Sequence, residues 1–215
     1  MSVLRYPGGK SRAAKFIVPL LPGDRDLFSP CFGGGHAEFA WSELHPGRRM
    51  LGCELFEPVA TFWQQARLNP GAVADIAARY HPIDQAGFAE LQQRVRAGID
   101  DPVELAALTY VLNRSSFSGA TLRGGSSQEA RAKRWTQSAI DRLRAFKAPN
   151  AEVRHTDGLD ALETLLAHHS PDAWDIYVDP PYEAVEGLYG SGSAHHEDFD
   201  HERLAALLRW ADALG

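Results

Sequence analysis

Asp179-Pro180-Pro181-Tyr182 is the run of the 215-residue chain whose residue types most clearly suit a chemical task. Neither proline has an N–H, and a residue before proline is pushed to extended geometry. The carbonyls of Asp179 and Pro180 can therefore face outward as acceptors from a rigid turn. Ionised Asp179 adds a further acceptor, and Tyr182 adds a flat ring face for stacking. Acceptors beside a ring platform describe a receptor for the exocyclic amine of a nucleobase. Such an amine is a poor nucleophile because its lone pair is delocalised into the ring. Accepting both of its N–H bonds favours a pyramidal nitrogen and stabilises positive charge as that nitrogen attacks an electrophile.

A second constellation lies upstream. Phe32-Gly33-Gly34-Gly35-His36 follows an apolar run and precedes a helical pattern, so bare backbone can approach a ligand there. Glu54 closes the next apolar run, at the spacing where an acidic side chain accepts both hydroxyls of a ribose. Together they indicate an adenosine-type cofactor. A dinucleotide fingerprint would have a third glycine where Glu38 stands. A carboxylate near a helix N-terminus repels a pyrophosphate seeking the same dipole, so NAD is disfavoured and a cofactor without phosphates is preferred.

These residues need a sheet to hold them. Short apolar runs over 26–32, 49–54, 152–155 and 174–178 predict strands of a mostly parallel sheet. Helices are expected over 10–21, 36–44, 58–68, 88–97, 102–112, 138–146, 159–168 and 201–214. The alternation predicts an α/β fold whose ligand sits at the C-terminal ends of the strands. It is interrupted between about residues 70 and 150, where helical patterns dominate and no parallel strand is expected. That stretch reads as an insertion, and its centre over 113–127 has the Ser and Gly density of an exposed loop or irregular hairpin.

With 44% apolar and 23% charged residues the composition is globular, although the net charge of −6 is unevenly spread. Residues 113–147 carry eight Lys and Arg against two Asp and Glu, whereas 148–215 carry three against fourteen. Arg114, Arg123, Arg131, Lys133 and Arg134, with Phe117 and Trp135 among them, form a phosphate-contacting patch with stacking side chains or else a solvated helix face. Cys31 and Cys53 lack the paired spacing of a zinc site, so they are expected to be reduced thiols in a packed sheet and no metal is expected. No apolar run approaches a membrane span and the N-terminus has no hydrophobic signal region, which predicts a cytoplasmic protein with no membrane partner.

Arg5-Tyr6-Pro7-Gly8-Gly9-Lys10, then Ser29-Pro30-Cys31-Phe32-Gly33-Gly34-Gly35, then Asp179-Pro180-Pro181-Tyr182, in that order, resembles the alpha group of DNA adenine N6-methyltransferases, the Dam-like family. The likeness takes in Asn113-Arg114, Phe117-Ser118-Gly119 and the run from Phe199 to Leu204, and spans nearly the whole chain. It implies a class I SAM-dependent methyltransferase sandwich, Rossmann-like, with the catalytic domain over 1–69 and 151–215 and a mostly helical target-recognition insertion over 70–150. The resemblance implies that Tyr6, Gly9, Lys10, Phe32, Gly33, Gly35, Glu54, Asp157 and Asp179 hold S-adenosyl-L-methionine. In it Glu54 binds the ribose, Asp157 lies near the adenine, and Asp179 stands at the junction of cofactor and target amine. Asp179, Pro180, Pro181 and Tyr182 are the catalytic set, and Asn113, Arg114, Phe117, Arg123, Lys133 and Arg134 the expected DNA contacts. Two departures stand out: the family often has an acidic residue where Ser29 stands, and Asp where Glu54 stands. His36 reads as a capping or packing residue, not a base.

The implied activity is methyl transfer from S-adenosylmethionine to adenine N6 in double-stranded DNA. A cytosine N4 or RNA adenine methyltransferase shares the motif logic, and a catalytically silent DNA-binding relative is the alternative from another class. The resemblance also allows a cognate restriction enzyme as partner. Family members continue with further strands beyond the helix that begins near His201, so the expectation is that a C-terminal segment or a second chain completes the sheet.

Overall fold

The computed structural model of the chain describes residues 2–122, 124–168, 173–182 and 199–214. Four parallel strands, β1 (Asp26–Ser29), β2 (Met50–Glu54), β3 (Ala151–His155) and β4 (Trp174–Ile176), lie in the order β3-β2-β1-β4. The order reverses at β1, which pairs with β2 on one side and β4 on the other, so the chain leaves the sheet in opposite directions from its centre. A crevice opens at such a switch point, outside the carboxyl ends of the strands.

Alternation along the strands divides the interior into two layers. Leu27 and its neighbour in register, Met50, face one core with Val153, while Phe28, Leu51, Cys53 and Ile176 face the other. The first layer is covered by α2 (His36–Leu44) and α3 (Glu57–Leu68), the second by α9 (Gly158–His168) and α10 (His201–Leu214). Leu159, Leu162, Leu165 and Leu166 of α9 meet Leu204 and Leu207 of α10 over Phe28. This is the α/β fold that the alternating pattern predicts, with helices on both faces of the sheet as the family resemblance implies.

Between β2 and β3 the chain is helical. After α3 come α4 (Pro70–Ala78), α5 (Gln85–Ala97), α6 (Pro102–Ser115), α7 (Gln128–Arg134) and α8 (Gln137–Arg144). Asp101 starts α6 by accepting the N–H groups of Val103 and Glu104, and the helix is then buried from Leu105 to Asn113. A helix apolar on every face is a spine, and α6 packs against α3, α4, α5 and α7. The rings of Phe62 on α3 and Tyr110 on α6 stack at 5.4 Å and 4°, so the helical stretch shares one continuous core with the sheet.

The structure changes several sequence expectations: the strands expected over 26–32 and 174–178 shorten to β1 and β4, and α7 forms where no helix is expected. The helix expected over 10–21 shrinks to α1 (Ala14–Ile17) and a 3-10 turn at Val18–Leu20, where Pro19 cannot continue an α-helical ladder. Helix α4, absent from the expected set, begins at Pro70-Gly71, where proline's missing N–H costs nothing in a first turn. Trp135 is no stacking platform. It is buried, and its Nε1–H donates to the Tyr80 carbonyl at 2.9 Å.

Candidate active site

The glycine loop between β1 and α2 is held at a single residue. The Gly33 N–H donates to Glu54 Oε2 at 3.0 Å, and its carbonyl accepts from Trp63 Nε1 at 2.9 Å. The backbone there runs at φ +48°, and a Cβ at Gly33 would fall 2.8 Å from the Tyr6 ring, so both conformation and space call for glycine. The other oxygen of Glu54 accepts the Phe56 N–H at 2.8 Å. Burial pushes the Glu54 carboxyl up to about 7, and the N–H bonds from Phe56 and Gly33 pull the other way.

A cavity of about 360 Å³ opens at the ends of β1 and β2. Of the residues assigned to a cofactor from the sequence, Tyr6, Phe32, Gly33, Glu54, Asp157 and Asp179 line it, and Pro181 joins them. Gly9, Lys10 and Gly35 line a smaller recess of about 40 Å³ that shares Tyr6, Phe32, Gly33 and Asp179 with the first. Pro180 and the exposed Tyr182 lie outside both walls. Asp157 Oδ1 accepts the N–H groups of Leu159 and Asp160, capping α9 at the cavity edge. Leu55, Phe56, Val59, Thr121, Phe199 and Arg203 also line the cavity, although the sequence alone assigns them no role. The pair after Glu54 carried a signal: apolar residues directly past a strand-ending acid stand where a ligand must pass.

Asp179 lies just beyond the last sheet bond, Tyr177 N–H to Phe28 carbonyl at 2.9 Å. Lys10 reaches it from the N-terminal loop, with Nζ at 2.6 Å from Oδ1 and 2.7 Å from Oδ2. The same ammonium donates to the Tyr182 hydroxyl at 2.5 Å and the Gly8 carbonyl at 3.0 Å. Burial alone would lower the Lys10 pKa, but hydrogen bonds and attraction from Asp179 and Tyr182 outweigh it and hold the ammonium charged. His36 packs under Gly9 and Gly34, and its pKa is lowered by burial and by Lys10, so it is a neutral ring in the support of the loop. Cys31 and Cys53 are free, and burial pushes both thiols up to about 12.

The expected DNA contacts separate. Asn113 is turned inward: Oδ1 accepts the Arg5 N–H at 2.9 Å, and Nδ2 donates to the Arg5 carbonyl at 2.7 Å and the Gly119 carbonyl at 2.9 Å. It is a clamp joining the N-terminal segment to the end of α6. Arg114 donates through Nε and Nη2 to the Arg134 carbonyl at 3.2 and 3.0 Å. Arg5 joins them: its pKa is lowered by burial and then by Arg134 and Arg114, and its Nη1 is buried without a hydrogen-bond partner. Counting charge by segment hid this, because Arg5 lies far from the basic stretch in sequence. Phe117 is 53% exposed beside the cluster's helix. Lys133 pairs with Glu129 at 2.7 Å on the exposed face of α7, and Arg123 lies outside the described residues.

Among the described residues no helix is long and apolar enough to cross a membrane. Comparison with curated proteins finds no match. The D12 class N6 adenine-specific DNA methyltransferase family, by contrast, matches over residues 6–212, from Tyr6 in the first loop into α10. That span takes in both walls of the cavity and every strand of the sheet, and it makes this chain a member of the D12 class N6 adenine-specific DNA methyltransferases, enzymes that methylate the N6 amine of adenine in DNA.

Proposed function

We propose that the cavity at the ends of β1 and β2 holds S-adenosylmethionine and that Asp179, Pro180 and Tyr182 receive the target adenine at its edge. The observation that carries this is the pairing of two walls at the switch point: buried Glu54 on one side and Asp179 on the other, with bare Gly33 backbone between them. The donor set fits the group. Glu54 retains lone pairs for a ribose diol, Lys10 offers an ammonium for a carboxylate, and the 360 Å³ space suits a nucleoside with an amino-acid tail. When bound, the cofactor supplies an electrophilic methyl group on a sulfonium. The protein's part is positioning and charge stabilisation. Asp179 accepts one amine N–H and the Pro180 carbonyl the other, which directs the nitrogen lone pair toward the cavity and stabilises developing positive charge. Tyr182, 43% exposed at the rim, offers the extrahelical base a stacking face, which offsets the few kcal/mol of unstacking. The surplus amine proton leaves after transfer, so no strong base is required, consistent with His36 being a neutral packing residue.

The helical segment 70–150 serves target recognition in this reading, with Arg5, Arg114 and Arg134 toward phosphate and Phe117 toward bases. Three guanidiniums that repel one another, one with a buried unpartnered nitrogen, are the arrangement a polyanion relieves. The test is nucleoside mass spectrometry of duplex DNA incubated with the protein and S-adenosylmethionine, alongside calorimetry of cofactor binding. N6-methyladenine made by the wild type and lost in Asp179→Ala, with cofactor affinity kept within several-fold, supports the assignment. Cofactor binding without any methylated base would support the silent DNA-binding alternative.

A further inference from the structure

Among the described residues, Glu38 is the one buried carboxylate near the cavity to which the proposed methyl transfer gives no part. It is the third residue of α2, 3% exposed, and lines the small recess together with Lys10 and Asp179. Its side-chain partner is Ser29 at the end of β1, fully buried, whose hydroxyl donates to Glu38 Oε1 at 2.8 Å. The backbone N–H groups of Ala37 and Glu38 at the head of α2 also favour its charged form. Among the described residues no cation pairs with it, and a second anion, Asp179, raises its pKa further. A buried carboxylate without a cation is costly, and an apolar side chain would fill this place on α2 more cheaply.

We propose that Glu38, oriented by Ser29, binds the α-ammonium group of the methionine moiety of S-adenosylmethionine. This rests on the reading of the larger cavity as the cofactor site. The recess adjoins that cavity through Tyr6, Phe32, Gly33 and Asp179, so a nucleoside in the larger space sends its tail into the smaller one. A free α-amino acid end is a zwitterion. Among the described residues that line the recess, the cation Lys10 is already paired with Asp179, whereas Glu38 is an anion that no cation neutralises, so an ammonium is the charge this lining lacks. The burial that pushes Glu38 up to about 7 in the absence of ligand is the desolvation a cationic ligand offsets. Ser29, where the family often carries an acid, holds the glutamate of the adjoining helix in reach of the same space.

The test uses S-adenosylhomocysteine and its analogue in which hydrogen replaces the α-amino group, titrated calorimetrically into the full chain. In the wild type, losing the amino group is expected to weaken binding about 10- to 100-fold, the size of a charge-assisted hydrogen bond. In Glu38→Gln the two ligands are expected to bind within about three-fold of each other, because the group that distinguishes them is gone. Ser29→Ala is expected to give an intermediate ratio. Thermal unfolding of ligand-free Glu38→Gln reports its folding, and Glu38→Asp takes its place in the titration should the amide variant not fold, with the same narrowing expected from a shortened reach. A wild-type ratio below about three-fold, or a ratio that survives both Glu38 variants, overturns the proposal and leaves the cavity assignment standing. Failure of the wild type to bind S-adenosylhomocysteine at all overturns both.

Discussion

The ammonium of Lys10 sits 2.6 and 2.7 Å from the two carboxylate oxygens of Asp179, bringing together the first and last of the sequence motifs across the mouth of the sheet. The pair is half-buried, with side chains 22% and 25% exposed, so its attraction is only partly screened. In the proposed function each residue holds the other's charge for a ligand: an anion for the target amine and a cation for the methionine carboxylate.

Splitting the pair separates the two roles. Asp179→Ala is expected to lower turnover by about two orders of magnitude or more while cofactor affinity changes only several-fold, as when a charge-stabilising group is removed. Lys10→Ala is expected to raise the cofactor dissociation constant. Single-turnover methylation and calorimetry on both variants check this, and near-normal turnover in Asp179→Ala would remove Asp179 from the chemistry.

Glu38 and Glu54 make the ligand-free protein sensitive to pH in an unusual direction. Burial pushes both carboxyls up to about 7, against about 4.3 in an unfolded chain. Between those values the folded protein binds more protons than the unfolded one, so this contribution to stability is present at low pH and is lost as pH rises through 7. Urea unfolding at about pH 5 and about pH 8 should show Glu38→Gln and Glu54→Gln each gaining on the wild type at the higher pH, on the order of 1–3 kcal/mol. The difference between the two pH values is the readout, since the amides also alter hydrogen bonds at both. Equal offsets at the two pH values would mean that these carboxyls titrate normally.

The arginines proposed to meet phosphate and the asparagine beside them should respond to different measurements. Arg5→Ala and Arg134→Ala are expected to weaken DNA binding across sequences and to flatten the dependence of log affinity on log salt, by about one unit for each phosphate no longer neutralised. Asn113→Ala removes bonds to both the N–H and the carbonyl of Arg5 and is expected to cost about 2–3 kcal/mol of stability. If Asn113→Ala changes the salt slope and leaves unfolding untouched, the clamp reading fails.

The four strands and the three motif loops were legible because apolar runs, glycines and prolines act locally. The strand at 49–54 and its terminal Glu54 lie within one residue of the observed β2. What could not be read was anything set by tertiary proximity. Arg5 belongs with Arg114 and Arg134 only because Asn113 ties its backbone to the end of α6. Trp135 has the sequence context of an exposed aromatic among cations, but its place after α7 turns it onto Tyr110 and Tyr80. Glu38 counts against a dinucleotide, yet nothing in its spacing shows that Ser29 meets it from the neighbouring strand.

Gly158, at the start of α9, is the strictest steric prediction. A Cβ there would stand 1.8 Å from the Pro30 carbonyl oxygen and 2.6 Å from its carbon. Both obstacles are backbone, so no side chain can swing aside, and the β1 loop and the α9 turn would have to separate. Gly158→Ala is expected to cost about 3 kcal/mol or more, beyond ordinary overpacking, and to weaken cofactor binding because Pro30, Asp157 and Gly158 share the cavity wall. Gly71, in the first turn of α4, is the matched control, since a Cβ there would meet nothing within 4 Å. Gly71→Ala is expected to raise stability by about 0.5–1 kcal/mol through helix propensity alone. Thermal unfolding and cofactor calorimetry on the two variants check the contrast; an unaltered Gly158→Ala protein would mean that the turn does not approach Pro30 as closely as the fold requires.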